Sequence, residues 1–168
     1  VMHRLIEQSD VLIYNIRPQA LRRLGFDYER CRAINPGIVH VGAFGFGQDG
    51  PYAAKPAYDD LIQGFTAIPT LIAKSGDGTP RYIPLAIVDR YVGAHVVNAV
   101  LGGLLHRLRT GAGQAIGVPM FETMVDTLLG DHFGGQMFDP PLGPAGYPRS
   151  LARERHPTVA TGEFGAEM

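Results

Sequence analysis

The sequence has one cysteine, no tryptophan and no excess of either charge, with 15 Lys and Arg against 16 Asp and Glu among 168 residues. Cys31 therefore has no partner for an internal disulfide. The formal net charge of −1 provides no basic surface of the kind that nucleic-acid binding requires. We expect no nucleic-acid partner, and any anionic ligand must be held by a few local groups.

Long hydrophobic runs are missing as well. No stretch approaches the ~20 consecutive apolar residues of a membrane span, and none has the layout of a secretory signal. We therefore expect a cytoplasmic protein that does not contact a membrane. With 45% hydrophobic and 18% charged residues, the composition is typical of one compact domain that can bury a core.

The order of apolar and turn residues predicts an α/β fold. DVLIYN and GIVHVGAF are short runs with strand character, and two helical segments separate them. The first segment ends at Gly25, and the second begins after Asp27, a residue type favoured at the N-cap. Because strand, helix and strand in this order indicate a parallel crossover, we predict a parallel sheet with flanking helices.

A glycine-rich segment, GFGQDGPYAAKP, follows the second predicted strand. It contains too much Gly and Pro for regular structure, so we predict an ordered loop at the carboxyl end of that strand. Ligands of open α/β sheets bind at this edge. GFGQDG and GAGQ are not dinucleotide fingerprints, because such a motif must begin a helix directly after a strand, and we expect no NAD.

Farther along the chain, AYDDLIQGFTAI predicts a helix, KSGDGTP a turn and RYIPLAIV an extended segment that leads to Asp89. A long helix is predicted from Arg90 to Arg109, with an apolar stripe through Val92, Val96, Val100 and Leu104. GQAIGVPMF predicts a further strand and ETMVDTLLGDHF a further helix. No Cys, His and carboxylate cluster has ligand spacing, so we expect no metal.

Residues 1–137 are predicted to form the domain, and residues 138–168 an irregular arm, because apolar periodicity is lost from Phe138 onward. The first residues already have a helical pattern. We interpret the chain as part of a longer protein.

Four motifs follow one another at characteristic spacing: NIRPQALRRLGFDY, INPGIVHVGAFGFGQDGPY, AYDDLIQGF, and the segment from PLAIVDRYVG to MFETMVD. Over residues 9 to 130 this order resembles the class III CoA-transferases, also called the CaiB/BaiF family. The resemblance implies the Rossmann-like large domain of a longer chain that forms an interlocked homodimer. It also implies acyl-CoA, and thus coenzyme A, as substrate, and a carboxylic acid as acceptor.

The resemblance places the catalytic nucleophile at Asp89, the aspartate after the P-x-x-x-x-D approach. It implies an acyl-aspartyl anhydride and then an aspartyl-CoA thioester on this side chain. On the residues alone, Asp89 is also a good N-cap of the long helix. The two roles are compatible, because a helix N-terminus stabilises an anion.

The resemblance also implies contacts to CoA and to the reacting acyl group from residues near the strand ends. Arginine suits CoA because its planar group binds phosphate and stacks on adenine. Backbone N–H groups of the glycine-rich loop, and the side chain of Gln48, are candidate donors to the developing oxyanion. The predicted binding residues are Asn15, Arg17, Arg23, Gly45, Gly47, Gln48 and Tyr58.

Two alternatives stay open. Related acyl-CoA racemases have a histidine where this chain has Tyr58, and a phenol normally exchanges its proton only at alkaline pH, so Tyr58 favours transfer. A truncated remnant that binds acyl-CoA without catalysis is the other alternative, because missing segments would leave apolar faces exposed. Lys55 is a weaker binding candidate. Asp59 and Asp60 are not predicted to act as an acid/base pair, because adjacent positions on a helix diverge.

Overall fold

A computed structural model describes residues 1–147 of the chain. Its helices and strands, in chain order, are α1 (Met2–Gln8), β1 (Val11–Tyr14), α2 (Pro18–Leu24), α3 (Tyr28–Ile34), β2 (Val39–Phe44), α4 (Asp59–Phe65), α5 (Ile68–Ser75), α6 (Ile87–Thr110), β3 (Gln114–Pro119) and α7 (Met120–Phe133). A 3-10 turn, Gly134–Met137, follows. Residues 138–147 contain no helix or strand, and the rest of the predicted arm, residues 148–168, lies outside the described residues.

The three strands form one parallel sheet in the order β1, β2, β3. Val39 of β2 is opposite Val11 on one side and Gln114 on the other. The predicted α/β class and the parallel crossover are confirmed. Because all three strands run in the same direction, their carboxyl ends meet at one edge of the sheet.

The long helix α6 supplies much of the core. Val88, Val92 and Val96 are buried and belong to one cluster with Val39 and Val41 of the central strand. The rest of the predicted stripe is partly buried against this cluster. The side chains of α6 that stay exposed include four large apolar ones: Val97, Leu101, Leu105 and Leu108. Among residues 1–147, no helix is both long and apolar enough to cross a bilayer.

Two neighbouring glycines of α6 provide a test of this packing. A Cβ on Gly103 would lie 2.5 Å from Cγ1 of Val39, whereas a Cβ on Gly102 would meet nothing within 4 Å. We expect Gly102→Ala to stabilise the chain by about 0.5–1 kcal/mol through helix propensity. Gly103→Ala has the same propensity gain, but overpacking costs about 1–3 kcal/mol, so the variant should be destabilised.

Urea unfolding of the two alanine variants measures this difference, provided that the slope of each transition is unchanged. Shifts of the two midpoints in the same direction would contradict the packing of α6 on the sheet through Gly103.

The structure differs from the sequence prediction mainly at α4 and α6; in addition, Lys74 and Ser75 of the predicted turn lie in α5, and Met120 and Phe121 of the last predicted strand lie in α7. The helix predicted over residues 57–68 ends at Phe65, Ala67 has a positive φ of 56°, and a separate helix begins at Ile68. Pro69 favours this new start, because proline is well tolerated in a first helical turn. The long helix begins at Ile87, three residues before its predicted start.

Candidate active site

An open cleft of about 830 Å³ lies at the carboxyl edge of the sheet. Each strand supplies the residue that follows it: Asn15 after β1, Gly45 after β2 and Met120 after β3. The first turns of α4 and α6 contribute Asp59 and Asp89 to the same cleft. The edge at which we predicted ligand binding therefore carries the cleft, and the predicted nucleophile lines it.

Asp89 is the third residue of α6, and the N-cap is Ala86. The interpretation of Asp89 as an N-cap is therefore wrong: α6 begins before it, so its own backbone is already helical. Val88 and Val92, on either side of it, are buried in the core. These two valines anchor the first turn, so that the Asp89 backbone has a defined place beside the cleft.

The first turn of α6 receives its cap from another helix. Ala86 has no side-chain acceptor, and the backbone N–H groups of a first helical turn have no intrahelical partner. The Oδ2 atom of Asp59, the first residue of α4, accepts the backbone N–H of Asp89 at 2.9 Å. A carboxylate from α4 thus supplies the capping acceptor that the side chain of Ala86 lacks.

A buried glutamine fixes the orientation of Asp59. Nε2 of Gln63 donates to Oδ1 of Asp59 at 2.6 Å, and Oε1 of Gln63 accepts the N–H of Ile83 at 2.9 Å. Gln63 is fully buried. The three contacts connect α4, the segment that leads to α6, and the first turn of α6.

The electrostatics of the cleft act on the carboxyl of Asp89. Its pKa is raised, first by partial desolvation and second by the negative charge of Asp59. Although Asp89 is exposed because the cleft is open, neighbouring protein atoms still remove part of its hydration. A carboxylate with a raised pKa is more basic than a free aspartate and hence more nucleophilic.

Of the cations in the described part of the chain, Arg17 and Lys55 line the cleft. Nη1 of Arg17 donates to the carbonyl of Ala54 at 3.2 Å, and Nζ of Lys55 lies 4.4 Å from the ring centroid of Tyr52. Both cations are therefore held to the loop between β2 and α4, where they can bind an anionic ligand. Within residues 1–147, no three His, Cys, Asp or Glu side chains are grouped as a metal ion would need.

The structure brings five of the predicted site residues together and leaves three outside the cleft. Asn15, Arg17, Gly45, Tyr58 and Asp89 line the cleft. The three that do not line it are Arg23, Gly47 and Gln48.

The three residues outside the cleft lie on the surface or are hydrogen-bonded elsewhere. Arg23 lies exposed in the last turn of α2. The N–H of Gly47 donates to Oε1 of Glu122 at 2.8 Å, and Nε2 of Gln48 donates to the carbonyl of Phe46 at 2.9 Å. Two of the donors that we expected for an oxyanion, the N–H of Gly47 and the side chain of Gln48, are thus engaged with α7 and within the loop.

Sequence reasoning missed Asp59 and Gln63. We considered Asp59 only as a partner of Asp60; Asp59 is half-buried, Asp60 is exposed, and both line the cleft. The available signal was the four-residue spacing from Asp59 to Gln63, because such pairs form hydrogen bonds along a helix. The link from Asp59 to Asp89 joins positions 30 residues apart, and no local pattern predicts it.

Comparison with known proteins is decisive at this point. The sequence profile of CoA-transferase family III matches residues 1–157. The chain belongs to this family. The resemblance that we inferred from the four motifs is therefore confirmed.

Relatives within CoA-transferase family III are similar over most of this chain. The succinate–glutarate CoA-transferase of Agrobacterium fabrum is 34% identical over 122 residues, which are 73% of this chain and 30% of that protein. The formyl-CoA:oxalate CoA-transferase of Streptomyces coelicolor is 38% identical over 128 residues, which are 75% of this chain and 30% of that protein.

The fold is shared with a solved structure of the same family. A CaiB/BaiF family protein from Brucella suis superposes with a TM-score of 0.76 and 32% identity. The match covers 95% of this chain and 40% of that one. The chain thus spans about a third of the length of the family members it matches.

Proposed function

We propose that this chain carries the nucleophile of a CoA-transferase that moves CoA between carboxylic acids, and that Asp89 is this nucleophile. One observation carries the proposal. In a chain of CoA-transferase family III, the Asp89 carboxylate lines a cleft at the carboxyl edge of a parallel sheet, on an anchored first turn of a long helix.

In the first step, an oxygen of the Asp89 carboxylate attacks the thioester carbonyl of the acyl-CoA. The carbon–sulfur bond breaks, CoA leaves as a thiolate, and a mixed anhydride forms between the acyl group and Asp89. The thiolate then attacks the aspartyl carbonyl of this anhydride. The donor acid leaves as its carboxylate, and an aspartyl-CoA thioester remains.

The acceptor acid reverses these steps. Its carboxylate attacks the aspartyl thioester to form a second anhydride and release the thiolate, which attacks the acyl carbonyl of that anhydride. The products are the new acyl-CoA and the free Asp89 carboxylate. Charge and protons balance without an external acid or base, so the reaction requires of Asp89 only that it be ionised and correctly placed.

Cleft residues support the binding of CoA. Arg17 and Lys55 are cations that line the cleft, and we propose that they bind phosphate groups of CoA. Asn15 lies beside them and has both donor and acceptor atoms. Tyr58 lines the same cleft as Asp89. Related racemases have a histidine for proton exchange at this position, and a phenol is less suited to that role, so Tyr58 supports CoA transfer over racemisation.

The remaining expectations from the family also stay proposals for the whole protein, namely a homodimer, a second domain and a cytoplasmic location. The exposed apolar face of α6 supports a further covering element. The donor and acceptor acids named for the relatives include succinate, glutarate, formate and oxalate, and these short acids guide the choice of probes.

Trapping with hydroxylamine tests the proposal. The chain is incubated briefly with succinyl-CoA or formyl-CoA and quenched with hydroxylamine, which converts an activated aspartyl group to a hydroxamate. We expect intact mass to increase by one NH group, and peptide mapping to place the change at Asp89. The absence of any adduct would overturn the proposal, and deuterium incorporated at C2 of a 2-methylacyl-CoA in heavy water would favour a racemase instead.

A further inference from the structure

Asp59 is the side chain whose contacts the proposed reaction leaves unexplained. It is half-buried, it accepts two hydrogen bonds, and one of its donors is the backbone of Asp89. A carboxylate beside a second carboxylate is electrostatically unfavourable, and such pairs persist where surrounding hydrogen bonds stabilise them. The fully buried Gln63 supplies such a bond and prevents Asp59 from turning away.

We propose that Asp59 is a positioning residue for the Asp89 nucleophile. From the neighbouring helix α4, Asp59 holds the first turn of α6 and keeps a second negative charge beside the reacting carboxylate. This inference rests on the proposed function of Asp89. It assigns Asp59 no contact with substrate.

The positional part follows from the geometry. Without Asp59, the N–H of Asp89 would lose its 2.9 Å acceptor, and Ala86 offers no replacement. First helical turns fray when their N–H groups are unpaired. A fraying first turn would spread the Asp89 carboxylate over several positions, and misplacement by about 1 Å reduces a rate by about 100-fold.

The electrostatic part follows from the charges around the cleft. The charged or titratable side chains that line it with Asp89 are Arg17, Lys55, Tyr58, Asp59 and Asp60. Arg90 is the next residue on α6, and α7 contributes the uncharged Met120. Among the side chains of residues 1–147, only that of Asp59 is hydrogen-bonded to Asp89. Its charge adds to desolvation in raising the pKa of Asp89, which makes the attacking carboxylate more basic.

Three variants of the full chain separate the two parts. Asp59→Asn removes the charge and leaves one oxygen for two donors, Nε2 of Gln63 and the N–H of Asp89. Asp59→Glu keeps the charge on a longer side chain. Asp126→Asn removes the same charge from an exposed position on α7 that does not line the cleft, and it leaves the contacts of Asp59 intact.

The readout is the rate of hydroxamate formation at Asp89 with succinyl-CoA as a function of pH. In the unsubstituted chain, the rate should fall on acidification as Asp89 is protonated. We expect Asp59→Asn to lower the plateau rate by about 10- to 100-fold and to shift the inflection to lower pH. Asp59→Glu should return the inflection toward its original position, and Asp126→Asn should change the rate by less than about threefold.

A purely structural role would lower the rate without moving the inflection. An inflection that stays in place in Asp59→Asn, or equal effects of Asp59→Asn and Asp126→Asn, would overturn the inference while the adduct in the unsubstituted chain upholds the proposed function. No adduct in the unsubstituted chain would remove the proposed function, and the inference with it. Hydrogen exchange at the Asp89 amide, which should accelerate in Asp59→Asn only, checks the cap without any turnover.

Discussion

Replacement of Asp89 by asparagine should abolish hydroxamate formation, with a loss of at least about 10⁴-fold in the rate of acylation. The amide has nearly the same shape as the carboxylate, but it has no anionic oxygen to attack a thioester. The neighbouring carboxylate of Asp59 is not free to take over, because it is engaged by Gln63 and by the Asp89 backbone.

Asp89→Glu is the matched variant that retains the nucleophilic group. One additional methylene moves the carboxylate by more than 1 Å, and a displacement of that size costs about 100-fold. We therefore expect a small but detectable adduct from Asp89→Glu and none from Asp89→Asn. Intact mass after timed quenching measures both, and equal adduct yields from Asp89→Asn and the unsubstituted chain would place the nucleophile elsewhere.

Stability serves as the control for these two variants. The folded-state pKa of Asp89 is raised, so the ionised side chain is destabilising at neutral pH, and this effect disappears as the pH falls below the ordinary pKa of aspartate. The same charge interacts favourably with the N-terminus of α6. Asparagine removes both effects. The free energy of unfolding of Asp89→Asn should therefore lie within about 1 kcal/mol of that of the unsubstituted chain.

Local patterns in the sequence predicted most of the elements because their signals are local. Gly25 has a left-handed φ of 83° at the end of α2, and Asp27 caps α3 through the N–H of Arg30. Each of these features depends on a few consecutive residues. The parallel sheet also followed, because short apolar runs that alternate with helices permit few other topologies.

Where the start of α6 was predicted wrongly, a distant contact decides the outcome. The start of α6 depends on Asp59 and Gln63, which lie in α4, far from residues 86–89 in the sequence. Ala86 is a poor N-cap by its own chemistry, so a local pattern favours the later residue Asp89. The candidate site was also predicted only in part. The strand ends locate the cleft, but Gly47 and Gln48 do not line it, because they are hydrogen-bonded to Glu122 and to the carbonyl of Phe46.

The second large effect concerns the wall of the cleft at Gly45. A Cβ at this position would overlap the Cβ of Ala57, the residue two positions before α4. The backbone of Gly45 cannot retreat freely, because its carbonyl accepts the N–H of Phe121 at 3.0 Å. In Gly45→Ala, the segment at Ala57 must therefore move, and Tyr58 and Asp59 follow it directly.

We expect Gly45→Ala to destabilise the chain by about 1–3 kcal/mol through overpacking. It should also slow acylation of Asp89 by about 10-fold or more, since the cap from Asp59 moves with the segment. Ala57→Gly removes the opposing methyl group and makes room for the new one. The double variant should therefore recover both stability and acylation relative to Gly45→Ala, with a coupling energy of about 0.5–3 kcal/mol.

The design compares four chains: unsubstituted, two single variants and the double variant. Urea unfolding measures the coupling in stability, and hydroxamate yield measures the coupling in acylation. If Ala57→Gly acted only by making the chain more flexible, it would lower the stability of the unsubstituted chain and would lower that of Gly45→Ala further. A double variant less stable than Gly45→Ala would therefore show that the two Cβ positions do not oppose each other. Recovery of both quantities together would mean that the spacing between the glycine loop and α4 sets the position of Asp59, and through it the position of Asp89.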